Sequence, residues 1–340
     1  MRNFPPVYVV GYFLVALLLS SSAGAFDRIV WPTPNAAFSE GAGLDAFVQP
    51  TASGRIESGL FGCVRNGGSR FHEGLDLYPI LRDKRGEALD PVYSILPGRI
   101  AYINRTSGHS SYGRYVVVHH AKTSPPVHTL YAHLASVEES LAVGQSVDAG
   151  ATLGTMGRSA TYSIPKSRAH LHFEIGFRLT DSFDEWYQDQ GYKSRNRHGS
   201  WNGMNLVSVD PLAFFEAIRS GEVSTVYQYL EKIPVVARIR IYTTEIPFFV
   251  REHPRLAIRP YKDGEVVGWD IGFTRYGVPK EWIPRFAGEI AEEAEGSIQV
   301  LAYDPDIFSG KRCRRLFSGS RISPQLSTGT IATIEKLFTP

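Results

Sequence analysis

Cysteine is scarce in this sequence. The 340 residues include two cysteines, Cys63 and Cys313, and neither has metal-ligand spacing. A zinc site built from cysteine thiolates is therefore excluded. Two interpretations of the pair stay open, namely one disulfide between distant parts of the chain and two separately buried thiols.

An excess of charge of either sign is also missing. The 36 Lys and Arg residues nearly balance the 34 Asp and Glu residues, so the formal net charge is only +2. This balance gives no reason to expect a nucleic acid partner, although a pI near 8.4 is compatible with an anionic polymer. Internal repeats and low-complexity segments are absent, and the length predicts about two domains.

An apolar run marks the N-terminus. Arg2 precedes the apolar residues 7–19, and residues 23–25 form an A-x-A site before Phe26. This order is typical of a cleaved secretory signal peptide, and the run is short for the alternative, an uncleaved membrane anchor. No cysteine stands at the cleavage site, which argues against a lipoprotein.

We therefore expect residues 1–25 to be a signal peptide and the mature protein to be exported, either periplasmic or secreted. No membrane span should remain after cleavage, and the oligomeric state is left open. An oxidising compartment favours the disulfide between Cys63 and Cys313.

Residues 91–176 show no helical periodicity. Short β-branched or aromatic runs alternate with turns rich in glycine, proline and serine. The expected strands are 92–95, 99–103, 115–120, 127–133 and 170–175. The fold class predicted for this part is mainly β, with an antiparallel sheet.

The remainder of the chain changes character twice. Residues 177–205 are polar, aromatic and basic, which fits either a solvated loop or a wall of a substrate groove. Asp210 and Pro211 predict the N-cap and first turn of a short helix over 210–218. The predicted domains are the signal peptide, a β-domain with an N-terminal extension over 26–218, and a smaller α+β accessory domain over 219–340.

The accessory domain contains no motif that indicates a chemical function. We therefore expect it to have a structural or substrate-positioning role. Its pattern predicts several elements. These are strands over 235–243, 247–250 and 297–303, and helices over 279–295 and 331–337.

Histidines and one aspartate form the candidate functional cluster. Side chains alternate faces along a strand, so His170 and His172 share one face, and His72 and Asp76 share another. Apolar residues also flank His133 in the sequence. Imidazole and carboxylate are normal zinc ligands, and a catalytic zinc keeps three protein ligands and one open position. The pattern predicts a metal-dependent enzyme, with further imidazoles available for proton transfer.

The same segments, in the same order, resemble the lysostaphin-type (LytM-like) zinc metallopeptidases, which cleave peptides of bacterial cell-wall peptidoglycan. The resemblance covers about a third of the chain. Its marks are an H-x-x-x-D, a Y-x-H-L and an H-x-H motif, at residues 71–77, 130–134 and 169–175. The intervening pattern matches at residues 96–100, 112–113, 116–120 and 143–147.

The resemblance implies a role for each candidate. His72, Asp76 and His172 become the ligands of one zinc ion per chain, and His170 and His133 become the catalytic imidazoles. The implied function is an exported zinc endopeptidase that hydrolyses peptidoglycan peptides, and the implied fold is that of the family. Which bond is cut is not implied.

The sequence departs from the family in two places. Some members carry a tyrosine hydroxyl upstream of the first ligand that helps to bind the oxyanion, but Phe61 and Phe71 occupy that neighbourhood here. Residues 177–205 are also longer than the family pattern requires, which affects the shape of the groove.

Two other functions compete with that of a zinc endopeptidase. Some relatives have lost ligands and act as non-catalytic activators of other cell-wall hydrolases, but all five positions are occupied here. A serine acyl-enzyme is suggested by the S-x-x-K motif of Ser163 and Lys166. Pro165 and the glycine-rich surroundings argue against the helix start that this serine requires, and no K-T-G motif follows.

The predicted signal peptide determines where the mature protein should begin. Because residues 23–25 supply the small-residue site, the exported protein should begin at Phe26. N-terminal sequencing of protein recovered from outside the cytoplasm measures this. Recovery of the full-length chain in the membrane fraction would instead support the uncleaved anchor.

Overall fold

The protein is known from a computed structural model, which describes residues 26, 28–262, 264–291, 293–309 and 313–339. The predicted signal peptide lies outside the described residues. Antiparallel β-sheet dominates, and the helices are short, which confirms the predicted fold class. Within the described part of the chain, no helix has both the length and the apolarity needed to cross a bilayer.

The first part of the chain is built from short strands that pair with nearby strands. Its elements are β1 (Gly62–Arg65), β2 (Arg70–His72), β3 (Leu75–Leu77), β4 (Pro91–Tyr93), β5 (Gly98–Asn104), β6 (Arg114–His120), β7 (Val127–Leu134), β8 (Ser136–Val137), β9 (Ser146–Val147), β10 (Thr152–Thr155), β11 (Leu171–Arg178), α1 (Phe183–Asp189), β12 (Leu206–Val209) and α2 (Pro211–Arg219). Helical structure within residues 91–176 is limited to short 3-10 turns, as predicted.

The central sheet has the strand order β12-β11-β7-β6-β5-β9, and β3 pairs with the start of β11. Alternation along β6 directs Val116 and Val118 into the main core and Tyr115 and Val117 to the opposite face. Both faces are covered, so every residue of β7 is buried. A sheet buried on both sides is a rigid support for side chains at its edges.

Residues 177–205 cover that opposite face. Trp201 packs there, and its carbonyl accepts a hydrogen bond of 3.2 Å from the hydroxyl of Tyr115. The segment contains α1, whose Phe183 and Trp186 are buried, so it is more ordered than a solvated loop. The predicted helix over 210–218 is confirmed as α2, with the Asp210 carboxylate accepting from the backbone at its start.

The second part of the chain has its own four-stranded sheet, in the order β15-β14-β13-β16. Its elements are α3 (Val226–Lys232), β13 (Ala237–Ile241), α4 (Phe248–Glu252), β14 (Val266–Phe273), β15 (Pro279–Phe286), β16 (Ile298–Tyr303), β17 (Phe317–Gly319), β18 (Pro324–Leu326) and α5 (Thr328–Leu337).

Two predicted elements are wrong. The helix expected over 279–295 begins as strand β15, because Pro284 removes a helical donor and alternating residues, including Trp282, point into the core. The strand expected over 247–250 is instead the short helix α4, which starts directly after Pro247. The strands near 235–243 and 297–303 and the terminal helix are confirmed, with shifted ends.

The two parts share one hydrophobic core, and a disulfide joins them as well. Cys63 and Cys313 are bonded across 250 positions of sequence, which decides between the two interpretations of the cysteines. Phe61, Phe71 and Tyr276 pack around the bridge. The C-terminal part is therefore tied directly to the strand pair that leads into His72.

A buried histidine lies where α4 meets the central sheet. The ring of His253 packs against Phe249 and Phe177, with centroids 4.6 Å and 5.2 Å away. Neither ring nitrogen has a hydrogen-bond partner among the described residues. Burial lowers the pKa of His253 to about 3, so the imidazole is neutral in the folded protein.

Folding stability should therefore fall in mild acid. The unfolded imidazole takes up a proton below about pH 6.5, whereas the folded one does not, so unfolding gains about 1.4 kcal/mol per pH unit. Between about pH 7.5 and about pH 5, His253 should remove about 2 kcal/mol of stability. Urea unfolding at both pH values, on wild type and His253→Phe, measures this.

The variant should lose less stability than wild type on acidification, since phenylalanine carries no titrating group. Phe249→Leu is the matched control, because it disturbs the same packing and should keep the wild-type pH dependence. An equal loss in His253→Phe and wild type would contradict the account.

Candidate metal centre

Three strands bring the predicted ligands together. His72 ends β2, Asp76 lies in β3, and His172 lies in β11 directly opposite Asp76 in the strand register. Gly74 stands between the first two, and a Cβ there would lie 2.3 Å from the carbonyl oxygen of Phe173. Only glycine lets the chain pass this close to β11, so the H-x-G-x-D spacing has a steric cause.

The three donor atoms form a small, regular triangle. His72 Nε2, Asp76 Oδ1 and His172 Nδ1 are each 3.0 Å from the other two. Ligands of a tetrahedral zinc at bond lengths of 2.0–2.1 Å are about 3.3 Å apart, so the triangle fits this ion closely. All three side chains are buried. Two imidazoles and one carboxylate leave one position of a tetrahedral ion open.

Hydrogen bonds select which nitrogen of each histidine faces the centre. His72 Nδ1–H donates to the carbonyl of Leu60 at 2.7 Å, which leaves the lone pair of Nε2 pointing inward. His172 Nε2–H donates to Glu174 Oε1 at 2.8 Å, which leaves Nδ1 free. Glu174 in turn accepts from the hydroxyls of Tyr112, at 2.7 Å, and Ser208, at 3.2 Å. Such partners orient metal-binding histidines.

The second oxygen of Asp76 is held by an arginine. Arg65 Nη2 lies 2.5 Å from Asp76 Oδ2, and Arg65 Nε donates to the carbonyl of Ser58. Burial alone raises the pKa of the Asp76 carboxyl. The neighbouring imidazoles of His72, His170 and His172 outweigh this effect and hold the pKa of the Asp76 carboxyl well below its usual range. The carboxylate is therefore ionised and aimed at the centre through Oδ1.

The two remaining predicted residues lie beside the triangle. The rings of His133 and His170 are 4.7 Å apart, and His170 Nε2 is 3.7 Å from Asp76 Oδ1. His133 Nδ1–H donates to the carbonyl of Ser159 at 2.8 Å, and His170 Nδ1–H donates to that of Arg168 at 2.7 Å. In both rings Nε2 is left as a free base.

His133 has an unusual backbone, with a φ of 61° that side chains rarely adopt. Its N–H donates to the carbonyl of Tyr112, which holds the strand in this conformation. Strained conformations of this kind concentrate at functional sites. Burial, followed by the neighbouring imidazoles, lowers the pKa of His133 well below its usual value, and burial lowers that of His170.

An open cleft of about 390 Å³ runs past the centre. Asp76, His133 and His170 line it, together with Arg65 and residues of the loops around 50–58 and 162–168. Three of the five predicted site residues therefore line the cleft. His72 and His172 do not line it, but each lies 3.0 Å from Asp76 Oδ1.

Other candidates lie elsewhere. His120 is buried and bonded to Pro97 and Thr129, and His119 pairs with Glu252 at 3.1 Å. Ser163 precedes a 3-10 turn rather than opening an α-helix, which argues further against the serine acyl-enzyme.

Sequence reasoning missed Arg65, Glu174 and Tyr112. Glu174 had a detectable signal, since it follows His172 by two positions and so faces the same way along the strand. Arg65 reaches Asp76 through the β1–β2 hairpin, whereas Tyr112 reaches Glu174 from a distant segment, and the local sequence gives no sign of either contact.

A known protein family matches the segment of the chain that contains this site. Residues 70–184 match the model of Peptidase family M23, and this segment contains all five predicted residues. No curated protein sequence matches the chain.

The chain also matches several solved structures. The catalytic domain of the antimicrobial peptidase lysostaphin from Staphylococcus simulans is 18% identical, with a TM-score of 0.30 over 51% of this chain and 95% of that one. A putative glycyl-glycine endopeptidase lytM from Ruminococcus gnavus is 19% identical, with a TM-score of 0.32 over 60% and 64%.

A mutant catalytic domain of a prophage-encoded M23 protein from Enterococcus faecalis is 21% identical, with a TM-score of 0.28 over 38% and 79%. At these scores the superpositions carry no argument of their own, and the assignment rests on the family match and the site. Residues 70–184 are therefore similar to Peptidase family M23, which confirms the predicted resemblance to the lysostaphin-type peptidases.

Proposed function

We propose that this protein is an exported zinc endopeptidase that hydrolyses peptide bonds of bacterial peptidoglycan. The observation that carries the proposal is the triangle of His72, Asp76 and His172 next to two buried imidazoles with free Nε2 atoms. His72 Nε2, Asp76 Oδ1 and His172 Nδ1 would hold the ion. A bound zinc would polarise the scissile carbonyl and lower the pKa of a water.

The chain's own residues would handle the proton. His170 is buried and neutral, and its Nε2 faces the centre, so it would accept a proton from the attacking water. The same atom would then donate that proton to the leaving amine. His133 lies beside it with a free Nε2 of its own, so it could take up the proton of the attacking water in place of His170 and, once protonated, donate a hydrogen bond to the oxyanion of the tetrahedral intermediate.

The carbonyls of Ser159 and Arg168 would orient the two catalytic imidazoles. Each accepts the Nδ1–H of one catalytic histidine, so each ring keeps a single tautomer and a fixed orientation. When a ring gains its second proton, the same carbonyl stabilises the imidazolium. Fixed orientation matters because proton transfer requires hydrogen-bond geometry at the moment of reaction.

Peptidoglycan is proposed as the substrate from the family match and the predicted export, with the mature protein periplasmic or secreted. The alternative, a non-catalytic activator of other hydrolases, is not favoured. An activator needs neither three convergent metal ligands nor two neutral bases, and this site has both.

Zinc affinity should depend on Glu174. Its carboxylate accepts the Nε2–H of His172 and so raises the basicity of the coordinating Nδ1. Glu174→Gln should weaken zinc binding by about 10- to 100-fold, as measured by competition with a chromophoric chelator. Glu252→Gln is the matched control, because it alters a carboxylate–histidine pair outside the centre and should bind zinc as wild type does. Unchanged affinity in Glu174→Gln would refute the role of Glu174.

Turnover should depend on His170. Zinc-loaded wild type should release new peptides from purified peptidoglycan, identified by mass spectrometry. His170→Ala should bind zinc at the wild-type stoichiometry and release none, since its base is missing. His119→Ala removes an imidazole away from the cleft and should act as wild type. Substantial hydrolysis by His170→Ala would remove the residue from the mechanism, whereas no release by wild type would support the activator.

A further inference from the structure

A second cleft adjoins the metal centre on the side of His172. It has a volume of about 580 Å³, and Arg70 lines both this cleft and the first one. Tyr112 forms part of its wall, and the Tyr112 ring lies 5.6 Å from the His172 ring. The two clefts therefore meet at Arg70, and the wall of the second cleft lies behind the His172 ring.

Positive charge dominates the second cleft. Among the described residues, four arginines line it, namely Arg70, Arg195, Arg197 and Arg314, whereas Glu73 is its only acidic lining residue. All four are exposed, and none forms an ion pair within the described part of the chain. Exposed guanidinium groups that lack an ion-pair partner and line one cavity are suited to bidentate binding of carboxylates.

The loop that carries Arg195 and Arg197 is held at both ends. The hydroxyl of Tyr187 bonds to Ser194 at 2.9 Å, and Asn196 donates to the carboxylate of Asp184 at 2.6 Å. His198 Nδ1 is hydrogen-bonded to the hydroxyl of Tyr102 at 3.0 Å. The two arginines are therefore presented from a fixed backbone, which lowers the entropy lost on binding.

Arg314 comes from the other end of the chain. It follows Cys313, whose disulfide to Cys63 ties it to the strand pair beside His72. Its guanidinium lies 4.4 Å from the centre of the Phe71 ring. The 177–205 segment and the C-terminal part thus form opposite walls of this cleft.

We propose that the second cleft is a substrate subsite that binds a carboxylate-bearing peptide segment on one side of the scissile bond. The inference rests on the proposed peptidase function and extends it to substrate selection. It also assigns a task to the C-terminal part, which supplies one of the recognition residues. The enzyme would select acidic peptides over neutral ones of the same backbone.

Purified peptidoglycan, with and without amidation of its carboxyl groups by carbodiimide and ammonia, tests the proposal. Amidation removes carboxylates but leaves phosphodiesters intact, so it separates these two sources of negative charge. Wild type should cleave the native polymer about tenfold more efficiently than the amidated one, mainly through KM. The double variant Arg195→Gln/Arg197→Gln should lose this preference and match wild type on the amidated polymer.

Arg85→Gln is the control, because Arg85 is highly exposed and lies outside both clefts. It should keep the wild-type preference. Equal cleavage of both polymers by wild type, or an unchanged preference in the double variant, would overturn the proposal. Equal cleavage of both polymers by wild type, with weaker cleavage of both by the double variant, would assign the cleft to phosphate instead and would overturn the proposal as well.

Binding in the His170→Ala background separates this inference from the proposed function. Cosedimentation with native polymer should weaken about tenfold when the two arginines are replaced, and it should weaken similarly after amidation. If wild type cleaves nothing but this binding pattern holds, hydrolysis is refuted and the anion subsite stands. If wild type cleaves but the binding is insensitive to both changes, the subsite is refuted and hydrolysis stands.

Discussion

The carboxylate of Asp76 is fully buried, and the candidate site depends on how its charge is compensated. Removing an ionised carboxylate from water costs several kcal/mol unless other charges and hydrogen bonds surround it. Arg65 lies at one oxygen, and His72 and His172 lie at the other. A divalent cation at the centre of the triangle would complete this compensation. The donor geometry is what such a cation requires, and the surrounding residues give each donor a single orientation.

The fold fixes the orientation of these donors through successive sets of contacts. β3 and β11 pair so that Asp76 and His172 are direct neighbours, and Gly74 lets β2 approach the same edge. Behind them, Glu174 accepts the Nε2–H of His172, and the hydroxyls of Tyr112 and Ser208 hold Glu174 in place from two other segments. Since the sheet is buried on both faces, these side chains have little freedom to rearrange. The disulfide and the 177–205 segment then determine what surrounds the centre.

Much of the site could be predicted from the sequence, because strand alternation is a local property. His170 and His172 share a face by that rule alone, as do His72 and Asp76, and the family resemblance added the division into ligands and catalytic imidazoles. The elements of the second part were harder to predict. Pro284 is unfavourable inside a helix, but the run of Glu and Ala that follows it suggested a helix, and tertiary packing of Trp282 decided the outcome.

Tyr112 and Arg314 could not have been placed by any local pattern, because each reaches the centre or its clefts through contacts between segments that are far apart in the sequence. Arg65 is closer, since the β1–β2 hairpin brings it to Asp76, but the sequence did not reveal that hairpin. The disulfide shows the same limit as Tyr112 and Arg314, since export favoured a bridge but the pairing is a fact of the folded chain. The proposed specificity therefore depends mainly on long-range contacts, whereas each candidate ligand motif is recognisable locally.

The most direct test of the account is a crystal structure of the zinc-soaked protein, with anomalous data collected on both sides of the zinc edge. The account predicts one anomalous peak about 2.0–2.2 Å from His72 Nε2, Asp76 Oδ1 and His172 Nδ1, with His133 and His170 unbound beside it. A peak coordinated by His133 or His170, or the absence of a peak at the triangle, would contradict it.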